Sequence, residues 1–448
     1  MQALQAAAGL SVPDLSTPPP GLPTYKLEVT AYPEAKAALS NGLLRLRTDH
    51  TSGAKELATR AIVSLVRIAE IIGARLIDET EADKTREVGG KLRGSPHSPV
   101  ETWWESCRKA GWILSKYGRP SMNAAITSAI VKALDRRRLG LPELKEGEYG
   151  VLGPNRGVDK ETGGGDGTEQ IKKGIDKMHG YLTRRYEGEE QTRIAAGLRD
   201  FLWEKSRSDV DIWEEKIRVV KVLTLSSSST IRSALIAVLE AENRDNPNTG
   251  LNIQLNIMES RPLCEGVGMA RDLVQAAQAI GATDRLRIRI ASDASVGILA
   301  RDADVVLLGA DRISEEGDVS NKTGSLAAAV CSKVVSDRVS VAVISDLEKI
   351  ARPEAMSQHK DEENDAQELE RIWGGHPEGT MGAISNQLWQ TVVECKNVYF
   401  EWVPATHIDR YICETGILDG DGIKEQSQLV LQAEKQLFGC FGGRGTCT

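Results

Sequence analysis

Between Glu214 and Ser345 the sequence switches repeatedly between two periods. Short β-branched apolar runs at 219–225, 251–258, 286–291, 305–309 and 339–345 are separated by stretches of helical texture at 230–240, 268–280, 296–302 and 322–334. Strands that alternate with helix-length crossovers pair in parallel, and the crossovers cover the sheet. The unbroken apolar run Val305-Val306-Leu307-Leu308 suits a strand buried on both faces. The fold class is therefore α/β, with a doubly wound parallel sheet in the second half of the chain.

The first half reads differently. Residues 1–24 hold Pro13 and the run Pro18-Pro19-Pro20 and are expected to form a disordered or extended tail. From Glu56, the apolar positions Leu57, Ala61, Leu65, Ile68 and Ile72 recur every three or four residues, which is one face of a helix and predicts core packing. Similar patterns cover 103–114 and 123–134, with a helix-start break at Gly118-Arg119-Pro120-Ser121. Helical texture resumes over 169–205. The expected organisation is an N-terminal helical domain over 25–213 and a sheet domain over 214–435. A glycine-rich insertion at 139–168, a second insertion at 347–395 and a tail at 436–448 complete it. The second insertion carries the charge run Lys360-Asp361-Glu362-Glu363-Asn364-Asp365, expected on a solvated surface. A last strand is expected at 400–402 and a helix near 406–414.

Composition narrows the function classes. The formal net charge is -8, whereas non-specific nucleic-acid binding calls for a basic surface. Seven cysteines, an odd count with no C-x-x-C pair, argue against a disulfide framework or a zinc site and for a reducing compartment. No apolar run approaches the ~20 residues that span a bilayer. The first basic residue is Lys26, so the start resembles neither a secretory signal nor a transit peptide. The expectation is a cytoplasmic protein with no membrane and no direct nucleic-acid partner. No metal is expected. Gly266-Val267-Gly268 lacks the third glycine of a dinucleotide fingerprint and no phosphate-binding Walker loop exists, so no cofactor is expected either.

Ligands of an open parallel sheet bind beyond the carboxyl ends of its strands. There the sequence offers Ser226 to Ser229, then Glu259, Ser260 and Arg261, then Ser292 and Asp293, then Asp311 and Arg312, then Ser345 and Asp346. Asn321 and Lys322 are expected to open the next helix, where free N–H groups favour a phosphate. Arg261, Asp311 and Lys322 together point to an anionic, hydroxylated ligand.

Four motifs stand in order at these strand ends: Glu259-Ser260-Arg261-Pro262, Asp293-Ala294-Ser295-Val296-Gly297, Gly309-Ala310-Asp311-Arg312-Ile313, and Gly317-Asp318-Val319-Ser320-Asn321-Lys322-Thr323-Gly324. With Thr51-Ser52-Gly53-Ala54, Arg119-Pro120-Ser121, and Pro404-Ala405-Thr406 to Gly416-Ile417-Leu418, they resemble a known family. That family joins the α, β and δ regulatory subunits of eukaryotic translation initiation factor 2B to methylthioribose-1-phosphate isomerase and ribose-1,5-bisphosphate isomerase. The resemblance implies a helical N-terminal domain followed by a Rossmann-like parallel-sheet domain of the NagB/RpiA/CoA-transferase-like kind. It also implies oligomerisation through the C-terminal domain, as a homodimer or a hetero-oligomer with related subunits. By that resemblance Gly53, Arg119, Glu259, Arg261, Asn321 and Lys322 are ligand-binding candidates, and Asp311 matches the isomerases' catalytic aspartate. Their catalytic cysteine falls at Ser226, a hydroxyl far less acidic than a thiol of pKa ~8.5. Two further departures are Ser52, where an arginine is usual, and Glu265, where a glutamine is frequent.

Two readings follow. In the first, the chain is like a regulatory subunit of initiation factor 2B, holds a sugar phosphate or nucleotide in a degenerate isomerase site, and acts with protein partners, including initiation factor 2, in guanine nucleotide exchange. In the second, it is an aldose–ketose isomerase of a ribose 1-phosphate, with Asp311 as general acid/base and another residue replacing the thiol. Cys264 is a candidate for that role only if it reaches the pocket, and otherwise reads as a small buried hydrophobe.

Overall fold

The computed structural model describes residues 32–49, 52–86, 98–142, 167–208, 217–246, 249–353, 364–373 and 391–439. The expected N-terminal tail, the centre of the glycine-rich insertion, most of the second insertion with the first four residues of its charge run, and the last nine residues lie outside them. The chain divides into two compact units, one up to Gly188 together with residues from Gln428 onward, the other Glu189–Ser427.

The first unit is helical: α1 (Pro33–Thr48), α2 (Ala54–Arg86), α3 (Pro99–Tyr117), α4 (Asn123–Ala133), the single turn α5 (Arg136–Leu139) and α6 (Gly167–Glu187). Leu57, Ala61, Leu65, Ile68 and Ile72 of α2 are all fully buried, as their spacing predicts. The start of α3 follows from local chemistry: Pro99 occupies the first turn, and the Ser98 hydroxyl accepts from the Glu101 amide at 3.3 Å. Within the unit, the Trp104 ring lies against the guanidinium groups of Arg108 and Arg136, and Arg136 is clamped in turn by both oxygens of Glu101 at 2.8 and 2.9 Å.

The helical texture over 169–205 is broken at Gly188, whose φ of +76° ends α6 in a conformation that glycine adopts without strain. The next helix, α7 (Glu189–Lys205), opens the second unit. After it come β1 (Arg207–Ser208), β2 (Ile217–Leu225), α8 (Ser229–Asp245), β3 (Gly250–Met258), α9 (Glu265–Ala279), β4 (Leu286–Ala291), α10 (Val296–Arg301) and β5 (Val305–Leu308). Then follow β6 (Arg312–Ile313), β7 (Val319–Lys322), α11 (Ser325–Val335), β8 (Ser340–Ile344), α12 (Gln367–Trp373), β9 (Phe400–Val403), β10 (Arg410–Cys413), β11 (Gly416–Leu418) and α13 (Gly420–Phe438).

The main sheet runs β4-β3-β2-β5-β8-β10, every neighbouring pair parallel, with β11 antiparallel at the far edge and β1 antiparallel to the start of β2. The chain first builds outward from β2 to β4, then crosses back and builds the other way from β5. The switch point therefore lies between β2 and β5. Both faces are apolar. Val220, Val222, Leu255, Ile257, Leu307 and Ile344 pack with α7, α8 and α9 on one side; Leu223, Leu225, Val306, Leu308 and Val343 pack with α10 and α11 on the other. A second, antiparallel sheet of β6, β7 and β9 sits beyond the carboxyl end of β5.

Three expectations change. The helix expected from Lys322 begins at Ser325, and Asn321 and Lys322 belong to strand β7. The strand at 400–403 joins the small sheet, because its partner is β7. The helix expected near 406–414 is a 3-10 turn (Ala405–His407) followed by β10, since the open edge of β8 supplies a parallel ladder for Arg410, Tyr411 and Ile412.

Candidate functional site

The registers Leu225↔Met258 and Met258↔Ala291 align the ends of β2, β3 and β4, so Ser226, Glu259 and Ser292 all lie at one edge. Backbone strain collects there. Among the described residues, the three non-glycine positions with positive φ are Ser226 (+58°), Ser260 (+62°) and Cys264 (+53°). Such conformations persist where the surroundings over-determine them, as they do at ligand sites.

Ser226 is buried, and its hydroxyl donates to Glu265 Oε2 at 2.6 Å. Glu265 is the first residue of α9, so β2 and the helix after β3 meet in this bond. The same carboxylate pairs with the Lys322 ammonium, 3.2 Å from Oε2 and 3.3 Å from Oε1. Lys322 in turn lies 4.9 Å from the Tyr399 ring centroid and 5.0 Å from that of Phe400. Ser226, Glu265 and Lys322 thus form one connected group, walled by two aromatic rings.

On the β5 side of the switch point, Gly309-Ala310 leads to Asp311, whose amide donates to Ser320 O at 2.9 Å and fixes the turn into β7. A side chain at Gly309 would meet the Ser228 hydroxyl at 3.2 Å and Asn321 Oδ1 at 3.4 Å, so glycine permits the close approach of β5, β7 and the start of α8. Ser228 is the N-cap of α8. Asn321 is buried and donates to Ser325 Oγ at 3.0 Å.

The start of α11, where a free anion site was expected, is filled from within the chain. Glu401 Oε1 accepts from Gly324 N at 2.7 Å and from Leu326 N at 2.9 Å. The expectation fails because β9 pairs with β7 and brings Glu401 opposite Asn321.

Arg261 and Glu259 form a separate pair at 2.7 Å, and the carboxylate pushes the Arg261 pKa up. Asp293 accepts from the amides of Ser260 and Arg261, both at 2.8 Å, and holds this turn to the end of β4. Cys264 is only partly buried; its thiol lies 3.8 Å from Pro262 O, in the turn between β3 and α9.

Gly53 and Arg119 lie in the helical unit. Gly53 starts α2, its carbonyl accepting from Leu57 N, and a side chain there would meet open space. Arg119 is buried and donates to Asp49 O at 2.8 Å. Among the described residues, no group of three or more His, Cys, Asp or Glu side chains is placed to hold a metal ion.

Sequence reasoning marked Ser226, Asp311, Asn321 and Lys322 as site residues. It noted Glu265 as a departure without giving it a role, and it missed Glu401 and Tyr399. Chemically, the group offers an ammonium able to meet an anion, a hydroxyl, and a carboxylate that joins the two.

The chain is similar to known proteins. The model of the Initiation factor 2 subunit family matches residues 168–420. A methylthioribose-1-phosphate isomerase of Geobacter sp. (strain M21) is 30% identical over 192 residues, covering 41% of this chain and 48% of that protein. The chain thus spans about half the length of the curated relatives it matches. Two solved structures share the fold. One is the tetrameric eIF2B-beta2-delta2 complex from C. thermophilum, at 11% identity with a TM-score of 0.51, covering 91% of this chain and 100% of that one. The other is 5-methylthioribose 1-phosphate isomerase from Pyrococcus horikoshii OT3, at 14% identity with a TM-score of 0.51, covering 88% and 87%.

Proposed function

Since this chain belongs to the initiation factor 2 subunit family, we propose that it is a regulatory-subunit-like member that holds a phosphorylated sugar or nucleotide at the β2/β5 switch point. The observation that carries this reading is the group Ser226–Glu265–Lys322. The position where the isomerases carry a thiol holds a hydroxyl already committed to Glu265, so the thiol–aspartate pair is gone while the ligand-facing groups remain. Lys322 and Asn321 then meet the anionic part of the ligand, and Asp311 meets a sugar hydroxyl. Glu259 and Arg261 border the site. The chain acts in the cytoplasm, assembles with itself or with related subunits, and works on initiation factor 2 in guanine nucleotide exchange.

Titration calorimetry with methylthioribose 1-phosphate, ribose 1,5-bisphosphate and a nucleoside monophosphate tests the ligand. At least one should bind saturably. Lys322→Ala and Asp311→Asn should each weaken it about tenfold, the loss of one charge-assisted contact. Capture of initiation factor 2 by the immobilised chain tests the partner. A chain that binds none of the three ligands, and no initiation factor 2, would overturn the reading.

One observation favours the isomerase reading. The 2.6 Å bond from Ser226 to Glu265 sets a carboxylate beside the vacated thiol position, and a carboxylate can exchange protons at pH values where a serine hydroxyl cannot.

A further inference from the structure

Lys322 is held from two sides. Glu265 pairs with its ammonium, and the rings of Tyr399 and Phe400 line its other flank. Phe400 is fixed by β9, where it stands opposite Lys322 in the register. Tyr399 is fixed differently. Its carbonyl accepts from Thr323 N at 2.9 Å, but its hydroxyl donates to Glu368 Oε2. Glu368 lies on α12, in the segment inserted between β8 and β9. Asn397 donates to the same Glu368 oxygen and to Asp365 O, each at 2.9 Å, and its own carbonyl accepts from Asn364 N at 2.9 Å. Burial, followed by the hydrogen bond to Glu368, pushes the Tyr399 hydroxyl pKa well up, so it stays a donor.

We propose that Tyr399 and Glu368 are positioning residues for Lys322, through which the inserted segment sets how firmly the switch-point ammonium is held. This rests on the reading that a phosphorylated ligand meets Lys322. Tyr399 is almost fully buried, so its hydroxyl depends on Glu368 for an acceptor. Without Glu368 the hydroxyl must seek water, the ring turns away, and one aromatic wall of Lys322 is lost. Cation–ring attraction falls steeply once the cation leaves the ring face. The ammonium is then both more accessible and less well aimed. The insertion thereby becomes a part of the ligand site.

The test uses the full-length chain. Lysines are acetylated under limiting N-hydroxysuccinimidyl acetate, and the rate at each is followed by mass spectrometry. Glu368→Ala and Tyr399→Ala should raise the rate at Lys322 about fivefold, the loss of one hydrogen bond's or one cation–ring contact's worth of restraint. Rates at Lys333 and Lys349 should stay as they are. Glu368→Gln keeps an acceptor oxygen and should behave as the parent chain does. An unchanged rate at Lys322 in Glu368→Ala, or an equal rise at all lysines, overturns the proposal. Calorimetry with methylthioribose 1-phosphate, ribose 1,5-bisphosphate and a nucleoside monophosphate on the parent chain separates the two claims. If none binds while Lys322 labelling responds selectively, the ligand reading falls and the positioning role stands. If one binds, Glu368→Ala should weaken it about fivefold by the same contacts, and equal affinity would overturn the control assigned to the insertion.

Discussion

One carboxylate in the sheet unit shows how much burial asks of a charged group. Glu242 is fully buried and accepts from Arg199 Nε at 2.6 Å, Trp203 Nε1 at 2.9 Å, Leu251 N at 3.0 Å and Asn246 Nδ2 at 3.1 Å. Burial alone would raise its pKa; the bonds from Trp203, Arg199, Leu251 and Asn246 together outweigh it and hold the group below the usual carboxylate range. A depressed native pKa means stability that is complete above the unfolded value of about 4.3 and is lost as pH falls through the native value. Glu242→Gln should therefore lower stability by about 3 kcal/mol at pH 7, because Arg199 loses its counter-charge and the neutral donors a charged acceptor. The variant should also lose less stability than the parent chain between pH 5 and 3, which thermal unfolding across that range measures. Glu265 is partly exposed and has a serine and a lysine as partners. Asp311 and Lys322 stand out in the sequence by a strand end and a motif, although Lys322 is expected there to open a helix and lies in β7. The bond between Ser226 and Glu265 was not legible there, since it joins positions 39 apart that only the β2–β3 register brings together.

At the scale of elements, local pattern was reliable where one face of a helix or both faces of a strand are buried. It failed where pairing partners decide. Ile408, Tyr411 and Ile412 have helical spacing, yet the free edge of β8 draws Arg410 to Ile412 into a strand. Likewise Ser320, Asn321 and Lys322 carry no strand pattern of their own and are extended because β6 and β9 flank them. That pairing delivers Glu401 to the first amides of α11, where a carboxylate satisfies orphan donors and complements the helix dipole. Glu401→Ala should lower stability by about 1–2 kcal/mol, the range of a lost N-terminal cap, and Glu401→Gln by less. Chemical denaturation of the two variants checks this. An Ala variant as stable as the parent would show that the amides find another acceptor.

At the scale of the molecule, alternation of strand and helix was enough to read a parallel α/β sheet. Strand order was not readable, because it depends on where each crossover lands. The order β4-β3-β2-β5-β8-β10 places the switch point between Ser226 and Asp311. The positive-φ residues and the Ser226–Glu265–Lys322 group gather along the same edge of the sheet. The central claim is that this site keeps the ligand and has lost the turnover. A coupled assay for ketose formation from methylthioribose 1-phosphate and from ribose 1,5-bisphosphate, run beside calorimetry on the same preparation, tests it most directly. The account predicts saturable heat from at least one of these ligands or a nucleoside monophosphate, and no ketose from either sugar phosphate. Ketose produced by the parent chain and abolished by Asp311→Asn would contradict it, and would make Glu265 the first residue to substitute next.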